Sequence, residues 1–163
     1  MTPAVADPTG GADEALYRVE VMHGVNLDQL GRRDPRLYGT LTLAELEARI
    51  EREAGALGLR TSFFQTNYEG AFVEHLHALR GRADAILLNP GAWTHYAWAI
   101  RDALEIAALP ALEIHLSDIE AREPFRRVSV IRDLCFQTIS GRGPDGYADA
   151  LRLLRGELGG RGS

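Results

Sequence analysis

Residues 85–117 read AILLNPGAWTHYAWAIRDALEIAALPALEIHLS, and this stretch decides the fold class. The apolar run at 85–88 is typical of a buried strand, and residues 111–116, opened by Pro110, are typical of another. The amphipathic segment 96–107 between them has helical spacing. A strand, a helix and a strand in this order predict two parallel strands with reactive groups just past their carboxyl ends.

The same alternation continues in both directions along the chain. Strands are predicted at 17–22, 61–64, 85–88, 111–116 and 134–139, and helices at 42–57, 69–79, 96–107 and 147–158. The pattern predicts an α/β three-layer sandwich, with a five-stranded parallel sheet between helices, as a single domain over 17–158. Residues 1–16, rich in Ala, Pro, Gly and Asp, are interpreted as a disordered N-terminal extension, and 159–163 as a flexible tail.

Composition narrows the class of protein. The 163 residues carry 18 Lys+Arg and 23 Asp+Glu, a net charge of −5 without a basic tract, which argues against nucleic-acid binding. No apolar run approaches the roughly 20 residues of a membrane span, and the start does not resemble a secretory signal. The single cysteine, Cys135, excludes an internal disulfide and a cysteine-zinc cluster. We expect a cytoplasmic one-domain enzyme.

The loop after the first strand, HGVNLDQLGRRDPRLYG at 23–39, combines arginines with one tyrosine. Gly31 and Gly39 bracket the arginine-rich part, which we call the lid, and three arginines there favour closure over an anion. A phenol is a weak acid, so Tyr38 can serve as a base near pH 7 only if a cation such as Arg33 stabilises the tyrosinate in a poorly hydrated site. The alternative is a solvated loop with a tyrosine packed beneath it.

The fourth strand ends in ALEIHLS, which places Glu113, His115 and Ser117 on one face because side chains alternate along a strand. Polar side chains on a buried strand are costly unless they line a site. A carboxylate beside an imidazole orients the ring and favours its protonated form, as a general acid requires. The alternative is a structural Glu that satisfies a buried histidine.

The third strand ends in LLNPGAWTH, so that Asn89 lies at its exit and Pro90 turns the chain. Thr94 is predicted to cap the following helix, and His95 at the helix start is placed to bind a hydroxyl. Asp102, beside Arg101, is interpreted as half of an exposed ion pair.

A further arginine cluster follows the fourth strand, in SDIEAREPFRR at 117–127. Each arginine run alone fits a solvated surface. Two runs at neighbouring strand exits favour a small anionic ligand.

Other patterns do not predict a cofactor, a metal site or a nucleophile. GRGPDG at 141–146 matches a dinucleotide fingerprint, but too little chain follows for another strand, so we expect a turn. His75 and His77 lack metal-ligand spacing, and Ser117 and Ser129 lack the context of a nucleophile elbow.

These residues together resemble the type II 3-dehydroquinate dehydratases. The shared motifs are GxNLxxLGxRxPxxYG at 24–39, NPGAxTHxxxAxRDA at 89–103, ExHxS at 113–117 and AREPFR at 121–126. The likeness covers residues 18 to about 155. It implies a flavodoxin-like fold, a homododecamer built from trimers, and no metal or organic cofactor. The implied reaction is the anti dehydration of 3-dehydroquinate, a small anionic cyclic substrate, to 3-dehydroshikimate through an enolate, in aromatic biosynthesis by the shikimate pathway or in quinate breakdown.

The resemblance also implies a role for individual side chains. Tyr38, as tyrosinate stabilised by Arg33, would remove the C2 proton. Asn26 would stabilise the enolate through an ordered water, and His115, oriented by Glu113, would protonate the departing C1 hydroxyl. The remaining implied positions bind substrate or shape the site: Asn89, His95, Ser117, Arg126, the backbone at Leu116, Arg122 in the lid shell, and Asp102 in a neighbouring subunit's site.

Several departures identify the chain as a divergent member. His23–Asn26 replaces the family's Asn-Gly-Pro-Asn, and Val128 and Val130 replace a His and a Tyr. Asp118 and Glu120 replace an Asn and a His, and we expect their negative charge near the carboxylate pocket to weaken binding of an anion. Two alternatives stay open: a dehydratase of a related cyclic polyhydroxy ketone acid, and a non-catalytic paralogue that binds such acids.

Overall fold

A single parallel sheet organises the protein in a computed structural model, which describes residues 17–162. Its strands are β1 (Tyr17–His23), β2 (Leu59–Gln65), β3 (Ala85–Asn89), β4 (Ala111–His115) and β5 (Gln137–Ser140), in the order β2-β1-β3-β4-β5. This order confirms the predicted five-stranded, flavodoxin-like α/β fold. The strand order reverses between β1 and β3, and a ligand site is expected beyond the carboxyl ends of strands at such a point.

Helices cover both faces of the sheet. They are α1 (Pro35–Tyr38), α2 (Leu43–Ala56), α3 (Glu69–His77), α4 (Trp98–Ala107) and α5 (Asp145–Arg161). Helices α2 and α5 pack on one face, and α3 and α4 pack on the other. Within the described residues, none of these helices has the length and apolar character needed to cross a membrane.

Strand β3 shows why a strand that is covered on both faces is rich in apolar residues. Leu87 packs with the α2 and α5 side chains, whereas Ile86 and Leu88 pack with those of α3 and α4. All three side chains are fully buried, and burial of each contributes about 1.5–3 kcal/mol relative to exposure. A sheet covered on both faces therefore selects apolar residues at most positions of its central strands.

The two ends of the lid have backbone dihedral angles that favour glycine. Gly31 and Gly39 have φ of 88° and 74°, which is the left-handed region where a side chain is strained. Three residues after Gly39, Thr42 and Glu45 form a capping box, in which each residue's side chain accepts a hydrogen bond from the other's backbone N–H. The lid is thus a discrete segment between two glycines, as predicted.

Many predicted boundaries differ from the structure by up to about three residues, and three of them have an identifiable cause. Strand β5 begins at Gln137 rather than 134, because a 3-10 turn occupies Arg132–Leu134. A second 3-10 turn, Gly91–His95, precedes the fourth helix, which begins at Trp98 rather than 96. Residues 159–161 continue α5 rather than forming a tail, and an ion pair of 2.8 Å between Arg161 Nε and Glu157 Oε1 supports the last turn. The predicted extension, 1–16, lies outside the described residues.

Candidate active site

One cavity lies at the carboxyl edge of the sheet, where β1, β3 and β4 end and the lid crosses them. The sequence-predicted residues that line it are Asn26, Arg33, Tyr38, Asn89, His95, His115, Leu116, Ser117, Arg122 and Arg126. The structure therefore brings together side chains that are up to 100 positions apart in the sequence, because parallel strands place their exits at a common edge.

Behind the cavity, Glu113 and His115 form the predicted pair. Glu113 is fully buried, and its Oε1 lies 2.7 Å from His115 Nε2. A carboxylate only accepts hydrogen bonds, so Nε2 donates to it and Nδ1 is the ring nitrogen left for a ligand. Burial works to raise the pKa of Glu113, but hydrogen bonds from His115, Thr94 and Ser129 outweigh it and hold that pKa below its usual value.

Two hydroxyl groups around Glu113 were missed by the sequence reasoning. Thr94 does not cap a helix as predicted, since its hydroxyl donates to Glu113 Oε1. Ser129 Oγ lies 2.9 and 2.8 Å from the two Glu113 oxygens, so its proton reaches the same carboxylate. A buried carboxylate needs several hydrogen-bond donors, and this need could have been predicted from the position of Glu113 on a buried strand. The sequence does not indicate which hydroxyl groups supply them.

His95 is held in one tautomer by the main chain. Its Nδ1 lies 2.7 Å from the carbonyl oxygen of Val128, which can only accept. In the neutral ring, Nε2 therefore carries the lone pair and can accept a hydrogen bond from a hydroxyl. Burial, aided by the charges of His115 and Arg126 and opposed by the Val128 carbonyl, lowers the pKa of His95 from 6.5. The neutral form of His95 is therefore favoured.

Tyr38 is contacted by two arginines rather than the one expected. Its hydroxyl oxygen lies 2.7 Å from Arg33 Nη2 and 2.8 Å from Arg122 Nη1, and both guanidinium groups donate. The Arg33 guanidinium carbon also lies 3.7 Å from the centre of the tyrosine ring. Two positive donors directed at one phenolic oxygen stabilise its ionised form.

The loops after β1 and β3 are fixed against each other. The backbone N–H of Gly24 donates to the Asn89 carbonyl at 2.8 Å, and a Cβ at Gly24 would lie 2.2 Å from the carbonyl oxygen of Pro90. Asn26 adopts a left-handed φ of 67°, and its N–H donates to Asn67 Oδ1 at 2.8 Å. Asn67 follows β2, so the strand-exit rule could have identified this residue, which the sequence reasoning missed.

The charged groups that line the cavity are positive. Arg33, Arg122 and Arg126 line it, and no Asp or Glu is among the lining residues in the described part of the chain. Arg122 Nη1 also lies 3.3 Å from Ser117 Oγ, which connects the lid tyrosine to the end of β4. This arrangement suits a small anion that carries hydroxyl groups. Residues 17–162 contain no group of three or more His, Cys, Asp or Glu side chains that could hold a metal ion.

Three predicted acids lie outside the cavity. Asp102 is exposed on α4 and is not paired with Arg101, whose Nη2 instead donates to Asp133 at 2.8 Å. Glu120 accepts a hydrogen bond of 3.0 Å from Arg132, and Asp118 accepts one of 3.1 Å from the Glu120 N–H. Neither of these last two acids lines the cavity, and their expected effect on binding of an anion there stays a prediction.

Comparisons with known proteins match nearly the whole described chain. Residues 17–155 match the family model described as dehydroquinase class II. The 3-dehydroquinate dehydratase of Syntrophotalea carbinolica is 48% identical over 133 residues, which are 81% of this chain and 90% of that protein. The 3-dehydroquinate dehydratase of Leptothrix cholodnii is 45% identical over 133 residues, 81% of this chain and 89% of that protein. The crystal structure of type II dehydroquinase from Propionibacterium acnes superposes with a TM-score of 0.82 at 40% identity, covering 85% and 96% of the two chains.

Proposed function

The chain belongs to the dehydroquinase class II family, and from this premise we propose that it removes water from 3-dehydroquinate to give 3-dehydroshikimate. One observation carries the assignment to these residues. A tyrosine hydroxyl bound by Arg33 and Arg122 lines the same cavity as His115, whose ring is paired with the buried Glu113. The cavity thus offers a base and an acid, which elimination of water requires.

The first step of the proposed reaction is proton removal at C2. Tyr38, as tyrosinate, takes the proton, and the C–H electron pair forms an enolate with the C3 carbonyl. Arg33 and Arg122 favour the tyrosinate before the step, because each donates a charge-assisted hydrogen bond to its oxygen. Asn26, in the same cavity, stabilises the enolate oxygen.

The second step is loss of the C1 hydroxyl. His115 transfers its Nδ1 proton to the hydroxyl oxygen as the C1–O bond breaks, and water leaves. The enolate electrons then form the C1–C2 double bond. For anti elimination, the C2 proton and the C1 hydroxyl leave from opposite faces of the ring. Glu113 favours the imidazolium before this transfer. Return of the proton from Tyr38 to His115, directly or through solvent, restores the starting state.

The rest of the cavity orients the substrate. We assign the carboxylate to Ser117, the Leu116 backbone and Arg126, and the ring hydroxyls to Asn89 and to Nε2 of neutral His95. Arg126 Nε already lies 2.8 Å from Glu123, so one edge of its guanidinium is engaged and the other is available to an anion.

We propose further that the active form is a homododecamer built from trimers. Trp98, Asp102 and Ile106 follow one another at four-residue spacing on α4, where the two apolar side chains are 65% and 59% exposed. Such a surface favours burial against another subunit, and Asp102 in its centre would then reach a neighbouring site. The expected mass by light scattering is twelve times that of the chain, and Asp102→Asn is expected to lower activity without changing the fold.

The direct test mixes purified protein with 3-dehydroquinate and follows the ultraviolet absorbance of the conjugated ketone product, with a chelator present throughout. Turnover is the expected result. Binding without product would instead support a non-catalytic paralogue, and neither binding nor product would point to a related ketone acid as substrate.

We place the enzyme in the cytoplasm, where its free Cys135 stays reduced, in aromatic biosynthesis or quinate breakdown. Deletion of the gene separates these pathways. Loss of growth without aromatic amino acids is expected for the first, and loss of growth on quinate for the second.

A further inference from the structure

Two clusters of the same composition lie on the α3–α4 side of the sheet. In the site cluster, Ser129 and His115 both contact the Glu113 carboxylate. In the remote cluster (Ser62, His75 and Glu20), Ser62 Oγ donates to Glu20 and His75 Nε2 lies 2.7 Å from its Oε1. The remote cluster does not line the active-site cavity of the described chain. Variants of the remote cluster therefore serve as controls for variants of the site cluster.

The hydroxyl of Ser129 is aimed at Glu113 by the main chain. The Ile131 N–H donates to Ser129 Oγ at 3.3 Å, which occupies a lone pair of that oxygen. The adjacent residues are also fixed, because the Val130 N–H donates to the Thr94 carbonyl at 2.8 Å and the Val128 carbonyl accepts from His95 at 2.7 Å. Ser129 therefore lies in a clamped segment, with its hydroxyl 2.9 and 2.8 Å from the two carboxylate oxygens and farther, at 3.3 Å, from Thr94 Oγ1.

Glu113 and His115 share one proton that decides whether an acid is available. With the same number of protons, the pair exists as carboxylate and imidazolium or as carboxylic acid and imidazole. In the second form the Nδ1 proton of His115 belongs to a neutral imidazole, which is a very weak acid. Only in the first form is it carried by an imidazolium that is acidic enough to transfer it. A donor to the carboxylate stabilises the first form and not the second, because a carboxylic acid accepts such a bond more weakly.

We propose that Ser129 is a positioning residue that keeps Glu113 ionised and thereby keeps His115 an imidazolium, the form that can transfer its Nδ1 proton. This role rests on the proposed function, in which His115 is the acid. Ser129 touches no substrate in this scheme and acts through Glu113. It does so together with Thr94, which donates to the same carboxylate from the opposite segment.

No other ionisable group near Glu113 duplicates this effect in the described chain. Burial lowers the pKa of His95, which favours its neutral form, and burial, with the charges of Glu113 and Asp133, raises the pKa of Cys135 to about 12. Thr138 Oγ1 lies 3.5 Å from Glu113 Oε2, at the limit of a hydrogen bond. The donors that decide the charge of Glu113 are therefore His115 and the hydroxyls of Thr94 and Ser129.

The test compares Ser129→Ala with Ser62→Ala, which removes a serine from the remote cluster, and with Ser129→Thr, which restores the hydroxyl. Loss of a hydrogen bond to a charged group predicts a fall in kcat of about ten- to a hundredfold for Ser129→Ala, with KM changed less than about threefold. Ser129→Thr is expected to recover most of kcat, and Ser62→Ala to retain it. These values come from the absorbance assay with 3-dehydroquinate.

A second readout does not depend on turnover. In protein labelled with ¹⁵N in its five histidine rings, Ser129→Ala should move the His115 signals towards neutral imidazole at a given pH and leave those of His75 in place. Ser62→Ala should do the reverse. If Ser129→Ala does not fold, Ser129→Cys, which is similar in size but a weaker donor, should give the same changes at smaller amplitude.

The outcomes separate this inference from the proposed function. Wild-type turnover with unchanged kcat and unchanged His115 signals in Ser129→Ala would overturn the role of Ser129. Absence of wild-type turnover together with a selective change at His115 would refute the proposed function and leave the role of Ser129 on the Glu113–His115 pair supported.

Discussion

The lid and the end of β4 stabilise charge by different means. In the lid, the partly exposed Tyr38 has its oxygen between two guanidinium groups, from Arg33 and Arg122. At the end of β4, the fully buried Glu113 is bound by an imidazole and by neutral hydroxyls. Near solvent a charge is screened, so the lid uses two full cations, whereas in the core one imidazolium together with aligned neutral hydroxyls serves the carboxylate. The proposed base and acid therefore have independent supports and can be disrupted separately.

The largest expected effect comes from the lid. Tyr38→Phe removes the proposed base and should lower kcat by about 10²–10⁴-fold, while substrate binding measured by calorimetry changes little because Arg33 and Arg122 remain. Tyr17→Phe serves as the control, since the Tyr17 ring lies under Arg155 at the opposite edge of the sheet. A kcat within tenfold of wild type would exclude Tyr38 as the base.

Disruption at β4 should separate the two steps of the reaction. His115→Gln removes the acid but leaves the base, so elimination should slow by about 10²–10⁴-fold while exchange of the C2 proton with deuterium slows much less. Mass spectrometry of recovered substrate measures the exchange. The exposed His77 provides the control substitution, His77→Gln. Equal losses in exchange and elimination would mean that another group supplies the proton.

The two regions also differ in how far they could be predicted from sequence. The alternation in ALEIHLS was sufficient to place Glu113, His115 and Ser117 on one face, because strand geometry is local. The contact of Arg122 with Tyr38 joins residues 84 positions apart, one in the loop after β4 and one at the end of the short helix α1, and no periodic pattern connects them. Tertiary packing decides such contacts, and for this reason only one of the two arginines on Tyr38 was assigned to it beforehand.

Errors in the predicted elements have a similar origin. Gly159 and Gly160 predict a helix end, since glycine disfavours helices, yet α5 continues to Arg161 with the support of Glu157. Thr94 was interpreted as a cap from its place in the sequence, whereas the tertiary fold directs its hydroxyl to Glu113. In both cases a contact formed by the folded chain outweighs the local preference.

The buried carboxylate of Glu113, at the end of β4, also predicts that the stability of the fold depends on pH. The pKa of Glu113 in the folded protein is below its usual value of 4.5, so its ionised form stabilises the fold above that value and the contribution is lost as the pH falls through the folded-state pKa. Glu113→Gln should therefore cost about 1–3 kcal/mol at pH 7 and progressively less below about pH 4.5.

Urea unfolding at pH 7 and pH 4, at one protomer concentration, measures this difference. The exposed Glu51 on α2 gives the matched control, Glu51→Gln, which should change stability little at either pH. A cost for Glu113→Gln that is equal or larger at pH 4 would mean that the ionised carboxylate does not stabilise the fold.

The smallest effect is expected from a charge that belongs to neither region. Glu120 is about half exposed, lies outside the cavity and is paired with Arg132, so solvent and its partner screen it from a bound anion. Glu120→Gln should leave KM and kcat within about twofold of wild type, whereas Arg126→Gln, inside the cavity, should raise KM by more. Steady-state kinetics at low and high salt measures both. If KM instead falls several-fold in Glu120→Gln at low salt but not at high salt, this surface carboxylate repels the substrate. The charges that control binding would then extend beyond the residues that line the cavity.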